Sequence, residues 1–183
     1  MTVSSFNTVT LTPSPVVSFN VKRPSETLSA LLKTRRFLAH LLSPNKDAAA
    51  LARDFSRGNQ CLAGFGEGSG VFGFEFVEAE GSAEGEGEGD GEALLPVLRR
   101  RKGRSGSQAQ DSGDEGRDDF PFIFECQLHD QQVEVHDHTV VFGTVVRTLV
   151  GGSPGTLDGR PGQASDLCLT YADTRFWEMG REI

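Results

Sequence analysis

The order of elements along this 183-residue chain predicts a mainly β fold with short helices, a β-barrel with helices at its ends. Three observations carry that reading. FIFECQLHDQQVEV (122–135) and HTVVFGTVVRTL (138–149) are two long runs rich in β-branched and aromatic residues, broken only at His136-Asp137. Two further strand-like runs, 3–11 and 16–21, precede any helix signal. Only two segments carry helix start signals, and both are short.

In order, residues 3–11 alternate hydroxyls with Val3, Val9 and Leu11 and read as a strand. Thr12-Pro13-Ser14-Pro15 breaks it, because two prolines cannot continue a ladder. VVSFNV (16–21) reads as a strand buried on both faces, and Lys22-Arg23-Pro24 turns the chain. Ser25 reads as a helix N-cap with Glu26 in the first turn, and Leu28, Leu31 and Leu32 form one apolar stripe. RFLAHLL (36–42) is a strand. Ser43-Pro44 opens a second helix, KDAAALARDF, with Ser43 as cap and Pro44 at the first helical position, ending near Gly58.

From Gly58 to about Asp119 the composition changes to Gly/Glu and then Arg/Ser/Gly/Asp low complexity. Repelling charges and glycine entropy leave little to offset the cost of ordering, so 58–119 is expected to be a largely disordered insert. Within it, Val71–Val77 and Leu94–Leu98 are apolar patches able to dock on the domain's edge. Order is expected to return at Phe120. Val133, Val135, Val140, Phe142 and Val145 supply a hydrophobic face, 150–166 is a Gly/Pro/Ser loop, and LCLTY (167–171) and RFW (175–177) flank a hairpin tip at 172–174. The chain thus divides into 1–57, the insert 58–119, and 120–183.

A net charge of −8 and a pI near 5.0 argue against a nucleic-acid binder, which needs a basic face. Three cysteines, Cys61, Cys126 and Cys168, without a Cys-x-x-Cys pair argue against a disulfide scaffold or a four-cysteine zinc site and fit a reducing compartment. No apolar run reaches the length of a membrane span, and no secretory leader is read at the start. P-loop, GxGxxG-before-helix and GxSxG patterns are missing, so a phosphate-bearing ligand would not be held in a Rossmann manner.

Two constellations could carry chemistry. Thr2, Ser4 and Ser5 head one strand, while Ser25 and Thr27 start a helix just after Lys22 and Arg23. Free N–H groups and the positive dipole end of a helix attract phosphate, and hydroxyls and cations strengthen such a site. Against this stands the plain reading of Ser25 as a cap and of the cations as solvated. In EVHDHTVV, His136 and His138 share one strand face, with His129 the only other nearby imidazole; H-x-H alone is a weak metal signal. His138 could equally line a cleft and meet a ligand edge, with Asp137 fixing the turn, or be a structural histidine at a strand end.

TVSSFNTVTLTPSPVVSFNVKRPSETLSALL, FLAHLLSPNKDAAALARDFS, FECQL followed by VEVHDHTVVFGTVV, and LTYADTRFW together resemble the flavin reductase-like, FMN-binding split-barrel family. The ordered set carries the resemblance, not any single piece. It implies a six-stranded split barrel of Greek-key type, a homodimer, with FMN near the dimer interface. It implies that Thr2, Ser4, Ser5 and Phe6 contact the ring system and ribityl chain, that Ser25, Thr27, Lys22 and Arg23 hold the phosphate, and that His138 faces the nicotinamide of NAD(P)H. The implied activity is an NAD(P)H-dependent flavin oxidoreductase moving a hydride to flavin N5, with FMN as cofactor and FAD as the alternative. A flavin-dependent oxygenase is the implied partner; nucleic acid and membrane are not. The competing reading is an FMN carrier or electron-transfer protein without free-flavin turnover, or a non-functional fragment. The expected location is cytoplasmic, or mitochondrial if an upstream presequence exists.

Two departures qualify the resemblance. The family's first strand and helix, and the glycine before T-x-S-S-F, have no counterpart, which predicts a domain entered late, of lower stability and weaker FMN binding. His136 stands where the family's G-D-H motif has glycine, so the turn there is expected to need a different backbone angle.

Overall fold

The computed structural model describes residues 1–57, 74–78, 95–100, 119–150 and 169–177. Its centre is a five-stranded antiparallel sheet. The strands are β1 (Asn7–Thr10), β2 (Val16–Lys22), β3 (Arg36–His40), β6 (Phe122–Val135) and β7 (His138–Val150), in the spatial order β1-β2-β7-β6-β3. Two hairpins stand apart from it: β4 (Phe74–Glu78) with β5 (Pro96–Arg100), and β8 (Thr170–Ala172) with β9 (Arg175–Trp177). The helices are α1 (Glu26–Thr34) and α2 (Lys46–Phe55). The architecture is mainly β with short helices, as expected; among the described residues the sheet has five strands, in keeping with a six-stranded pattern that lacks its first strand, and it does not close into a barrel.

The sheet lies between two cores. Successive strand residues point to opposite faces. Thus Phe37 joins Phe19, Val21, Leu28, Leu31, Leu128 and Val141 under α1, while its neighbour Leu38 packs with Leu51, Phe120 and Ile123 on the α2 side. β2 shows the rule most plainly. Val17, Phe19 and Val21 are buried, whereas Asn20 and Lys22 face outward. The strand is therefore buried on one face, not on both. The expected face of β7 also shifts by one residue. Val141, Thr139 and Gly143 are the buried set, because Val141 pairs with Phe19 and Thr139 with Val21. Val133 and Val135 are about half exposed, at 49% and 48%. Gly143 is required by close approach: a Cβ there would stand 2.6 Å from Phe37 Cζ.

Caps and turns set the ends. Ser25 caps α1 as expected, its Oγ accepting from Leu28 N at 3.2 Å. α2 is capped by Asn45, whose Oδ1 accepts from Ala48 N at 2.7 Å, not by Ser43. Ser43 is buried and donates its backbone N–H to Asp119 O at 2.9 Å. β1 is shorter than the 3–11 run, since residues 2–6 leave the ladder.

Part of the 58–119 stretch belongs to the core. Phe74, Val97 and Leu98 are 3%, 1% and 6% exposed, and they pack on Leu51, Phe120 and Ile123. His40 fastens the hairpin to the sheet, its Nε2 accepting from Leu98 N at 3.1 Å. The rest of 58–119, and the 150–166 loop beyond Val150, lie outside the described residues. At the rim of this core Glu125, 5% exposed, takes Arg36 at 2.5 Å and Arg147 Nε at 2.8 Å, an ion triad across β3, β6 and β7. Burial works to raise the Glu125 carboxyl, but hydrogen bonds from the two guanidiniums outweigh it and hold it below its ordinary value.

Candidate functional site

The polar face of β2 forms one wall of the site. Asn20 and Lys22 point outward from the sheet, and the N-terminal segment runs past them, held from several sides. Thr2 Oγ1 donates to Ala52 O of α2 at 2.6 Å, and Ser5 Oγ accepts from Asn20 N at 2.8 Å. Phe6 packs against the α1-side core and stacks on Phe124, with ring centroids 6.4 Å apart. Between these elements lies a cavity of about 310 Å³ lined by Met1, Thr2, Val3, Ser4, Ser5, Asn20, Lys22 and His138. That volume is at the low end of the roughly 300–1,000 Å³ typical of ligand pockets.

The β6–β7 turn supplies the adjoining wall. Lys22 pairs in register with His138, so the end of β2 lies against the turn. Arg23 binds it through its backbone N–H to Asp137 O and through Nη2 to His136 O, both at 2.7 Å, and through Nη1 to Glu134 at 2.9 Å. His136 adopts φ 49°, in the left-handed region that favours glycine. Asp137 Oδ1 lies 2.7 Å from His138 Nδ1, and Asp137 Oδ2 lies 3.6 Å from Lys22 Nζ. The hydrogen bond from His138, aided by the Lys22 charge, holds the Asp137 carboxyl below the usual carboxylate range.

A second, wider cavity of about 490 Å³ opens beside the first, lined by Arg23, Pro24, Ser25, Leu28, Ser29, Leu32 and Asp137. It faces the start of α1, where the first backbone N–H groups have no intrahelical acceptor. Arg23 Nε is buried there without a hydrogen-bond partner.

The structure thus brings Thr2, Ser4, Ser5, Lys22 and His138 to one cavity and Arg23 and Ser25 to the next. Lys22 and Arg23, adjacent in sequence, serve different cavities because neighbouring residues at a strand end point apart. The Ser25 hydroxyl is engaged in capping. Phe6 and Thr27 line neither cavity. Asn20 and the carboxylate of Asp137 were not singled out from sequence as site groups. The signal for Asn20 was the alternation Ser18, Asn20, Lys22 opposite Val17, Phe19, Val21. His129 is engaged with Thr144 Oγ1 at 2.8 Å, and among the described residues no group of three His, Cys, Asp or Glu could hold a metal ion. Cys126 is buried, and burial together with the Glu125 charge pushes its thiol up to about 12, which rules out thiolate chemistry near neutrality.

The donor set fits a flavin-type ligand. Hydroxyls and an amide line the smaller cavity, and a cation flanks it. The unpartnered Arg23 Nε and the α1 start fit an anionic tail. Residues 1–87 match the family model described as a flavin reductase like domain. Among solved structures, the FMN-binding protein of Thermus thermophilus with bound 1-cyclohex-2-enone superposes with a TM-score of 0.59 at 15% identity, over 99% of this chain and 78% of that one. The NADH:FAD oxidoreductase SgcE6 of Streptomyces globisporus, in complex with NAD and FAD fragments, gives 0.57 at 17% identity, over 97% and 75%. Nitrilotriacetate monooxygenase component B of Mycobacterium thermoresistibile gives 0.50 at 19%, over 84% and 60%. At such identities the likeness is one of fold. Residues 1–87 are thus similar to a flavin reductase like domain, and the chain shares its fold with these solved structures.

Proposed function

We propose that the chain is an NAD(P)H-dependent flavin oxidoreductase that uses FMN. The observation that carries this reading is the convergence of Thr2, Ser4, Ser5, Asn20, Lys22 and His138 on one cavity, next to the Arg23-lined start of α1. When bound, the flavin supplies the redox chemistry by accepting a hydride at N5. The chain's own residues bind and orient. Hydroxyls and amides of Thr2, Ser4, Ser5 and Asn20 offer hydrogen bonds along the smaller cavity. Lys22, Arg23 and the first turn of α1 offer positive potential to a phosphate, and Ser25 adds a hydroxyl. His138, half exposed at the cavity mouth, meets the nicotinamide of NAD(P)H. No side chain has to act as a nucleophile.

The same reading takes the protein as a cytoplasmic homodimer that passes reduced flavin to a partner oxygenase. The name of the Mycobacterium neighbour, a monooxygenase component, supports such a partner. The name of the Thermus neighbour, an FMN-binding protein, favours a second reading, flavin binding without turnover of free flavin. The test is flavin absorbance of the purified protein together with NAD(P)H oxidation under excess FMN. Both are expected. Bound yellow flavin without oxidation selects the second reading, and a protein that ignores FMN in titration overturns both. Ser25→Ala is expected to weaken FMN by roughly 1–3 kcal/mol through a lost charge-assisted hydrogen bond, whereas Thr27→Ala, outside both cavities, is expected to leave it nearly unchanged.

A further inference from the structure

We propose that Asp137 is a positioning residue for His138, setting which ring nitrogen faces the ligand; this rests on the assignment of His138 to the nicotinamide contact. Asp137 Oδ1 stands 2.7 Å from His138 Nδ1, hydrogen-bond distance for a donor N–H and a carboxylate acceptor. An ionised carboxylate only accepts, so neutral His138 carries its proton on Nδ1. Nε2 is then left with its lone pair as the ring nitrogen free to meet a ligand. A histidine so held offers an acceptor, and it recognises a donor such as a carboxamide N–H of the co-substrate.

The carboxylate is itself fixed. Lys22 Nζ lies 3.6 Å from Oδ2, and Lys22 also lines the cavity. The backbone beneath is clamped by Arg23, which binds the carbonyls of both His136 and Asp137 at 2.7 Å. Lys22, Asp137 and His138 therefore form a short relay from the end of β2 to the cavity mouth, and the orientation of the imidazole does not depend on the ligand arriving first. A neighbouring carboxylate that fixes tautomer and ring orientation is a familiar way of preparing a histidine.

The experiment compares wild type, Asp137→Asn and His138→Ala. In two-bond proton–nitrogen NMR spectra at pH 8, without flavin, the His138 ring of the wild type is expected to show the Nδ1–H form. In Asp137→Asn, whose amide can donate as well as accept, that form is expected to give way to a mixture. Kinetically, His138→Ala should raise KM for NAD(P)H, and Asp137→Asn should raise it about 3- to 10-fold, the size of one ordinary hydrogen bond, with kcat kept. A raised KM in His138→Ala with unchanged KM and unchanged tautomer in Asp137→Asn overturns the positioning role alone. An unchanged KM in His138→Ala removes the imidazole from the site and overturns both.

Discussion

His136 holds φ 49° in the two-residue turn between β6 and β7, a conformation that crowds the Cβ of any L-residue. Its side chain is exposed, and its carbonyl is held by Arg23 at 2.7 Å. Among the described residues no hydrogen bond of the imidazole offsets the crowding. His136→Gly keeps the carbonyl and relieves the Cβ, so it is expected to stabilise the protein by about 1 kcal/mol, read as a raised midpoint in urea unfolding. A lowered midpoint would mean that the His136 ring makes a contact in solution that the turn does not show. Asp137 and His138 follow directly, and both are expected to keep their backbone positions in this variant, which separates turn strain from ligand recognition.

At the scale of elements, the β4–β5 hairpin is the piece whose role is least evident from composition. It sits between low-complexity tracts, yet Leu98 is 6% exposed and packs with Leu51, Phe120 and Ile123, residues from α2 and the 119–150 segment. Leu98→Ala is expected to cost about 2–5 kcal/mol in urea unfolding, the range for emptying a buried leucine site; an effect under ~0.5 kcal/mol would mean that the hairpin is peripheral. The apolar runs Val71–Val77 and Leu94–Leu98 were readable as docking patches, but local pattern does not distinguish an edge contact from a core partner. β6 and β7 were legible almost to the residue, since their period and two-residue turn are local signals. α2 was legible but its cap was not. Ser43 and Asn45 are equally good caps by residue type, and the backbone bond from Ser43 to Asp119, distant in sequence, holds residue 43 ahead of the first helical turn. The shortened β1 has the same cause, a tertiary bond from Thr2 to Ala52 that no local pattern carries. In the site, residue types were legible and their grouping was not: the division of Lys22 from Arg23 between two cavities depends on where β2 ends against the β6–β7 turn.

For the whole molecule, the buried ionisable groups act in one direction on acidification. Burial lowers His40 from an ordinary 6.5 to about 4, and its neutral Nε2 accepts the Leu98 amide while its ring edge meets Phe120 at 5.2 Å. Its folded pKa lies below the unfolded one, so between pH 6.5 and about 4 the unfolded chain binds the extra proton and stability falls as pH falls. The shift limits the loss to about 3 kcal/mol. Glu125, held below its ordinary value by Arg36 and Arg147, adds stability above the unfolded carboxylate pKa and loses it only as pH falls through that lower range. Acid lability should therefore come in two stages, and the first belongs to His40. His40→Gln replaces the ring acceptor with an amide oxygen that does not titrate in this window. It is expected to lower stability modestly at pH 7 and to flatten the decline between pH 6.5 and 4.5, while the steeper loss below pH 4 persists. The measurement is urea unfolding of both proteins at half-unit pH steps. A decline as steep in the variant as in the wild type would assign the first stage to another group and would detach acid sensitivity from the seam between β3 and the β4–β5 hairpin. Because that seam closes the α2-side core, its loosening should appear first as exchange of the Leu98 amide, before the α1-side core beneath the candidate site opens.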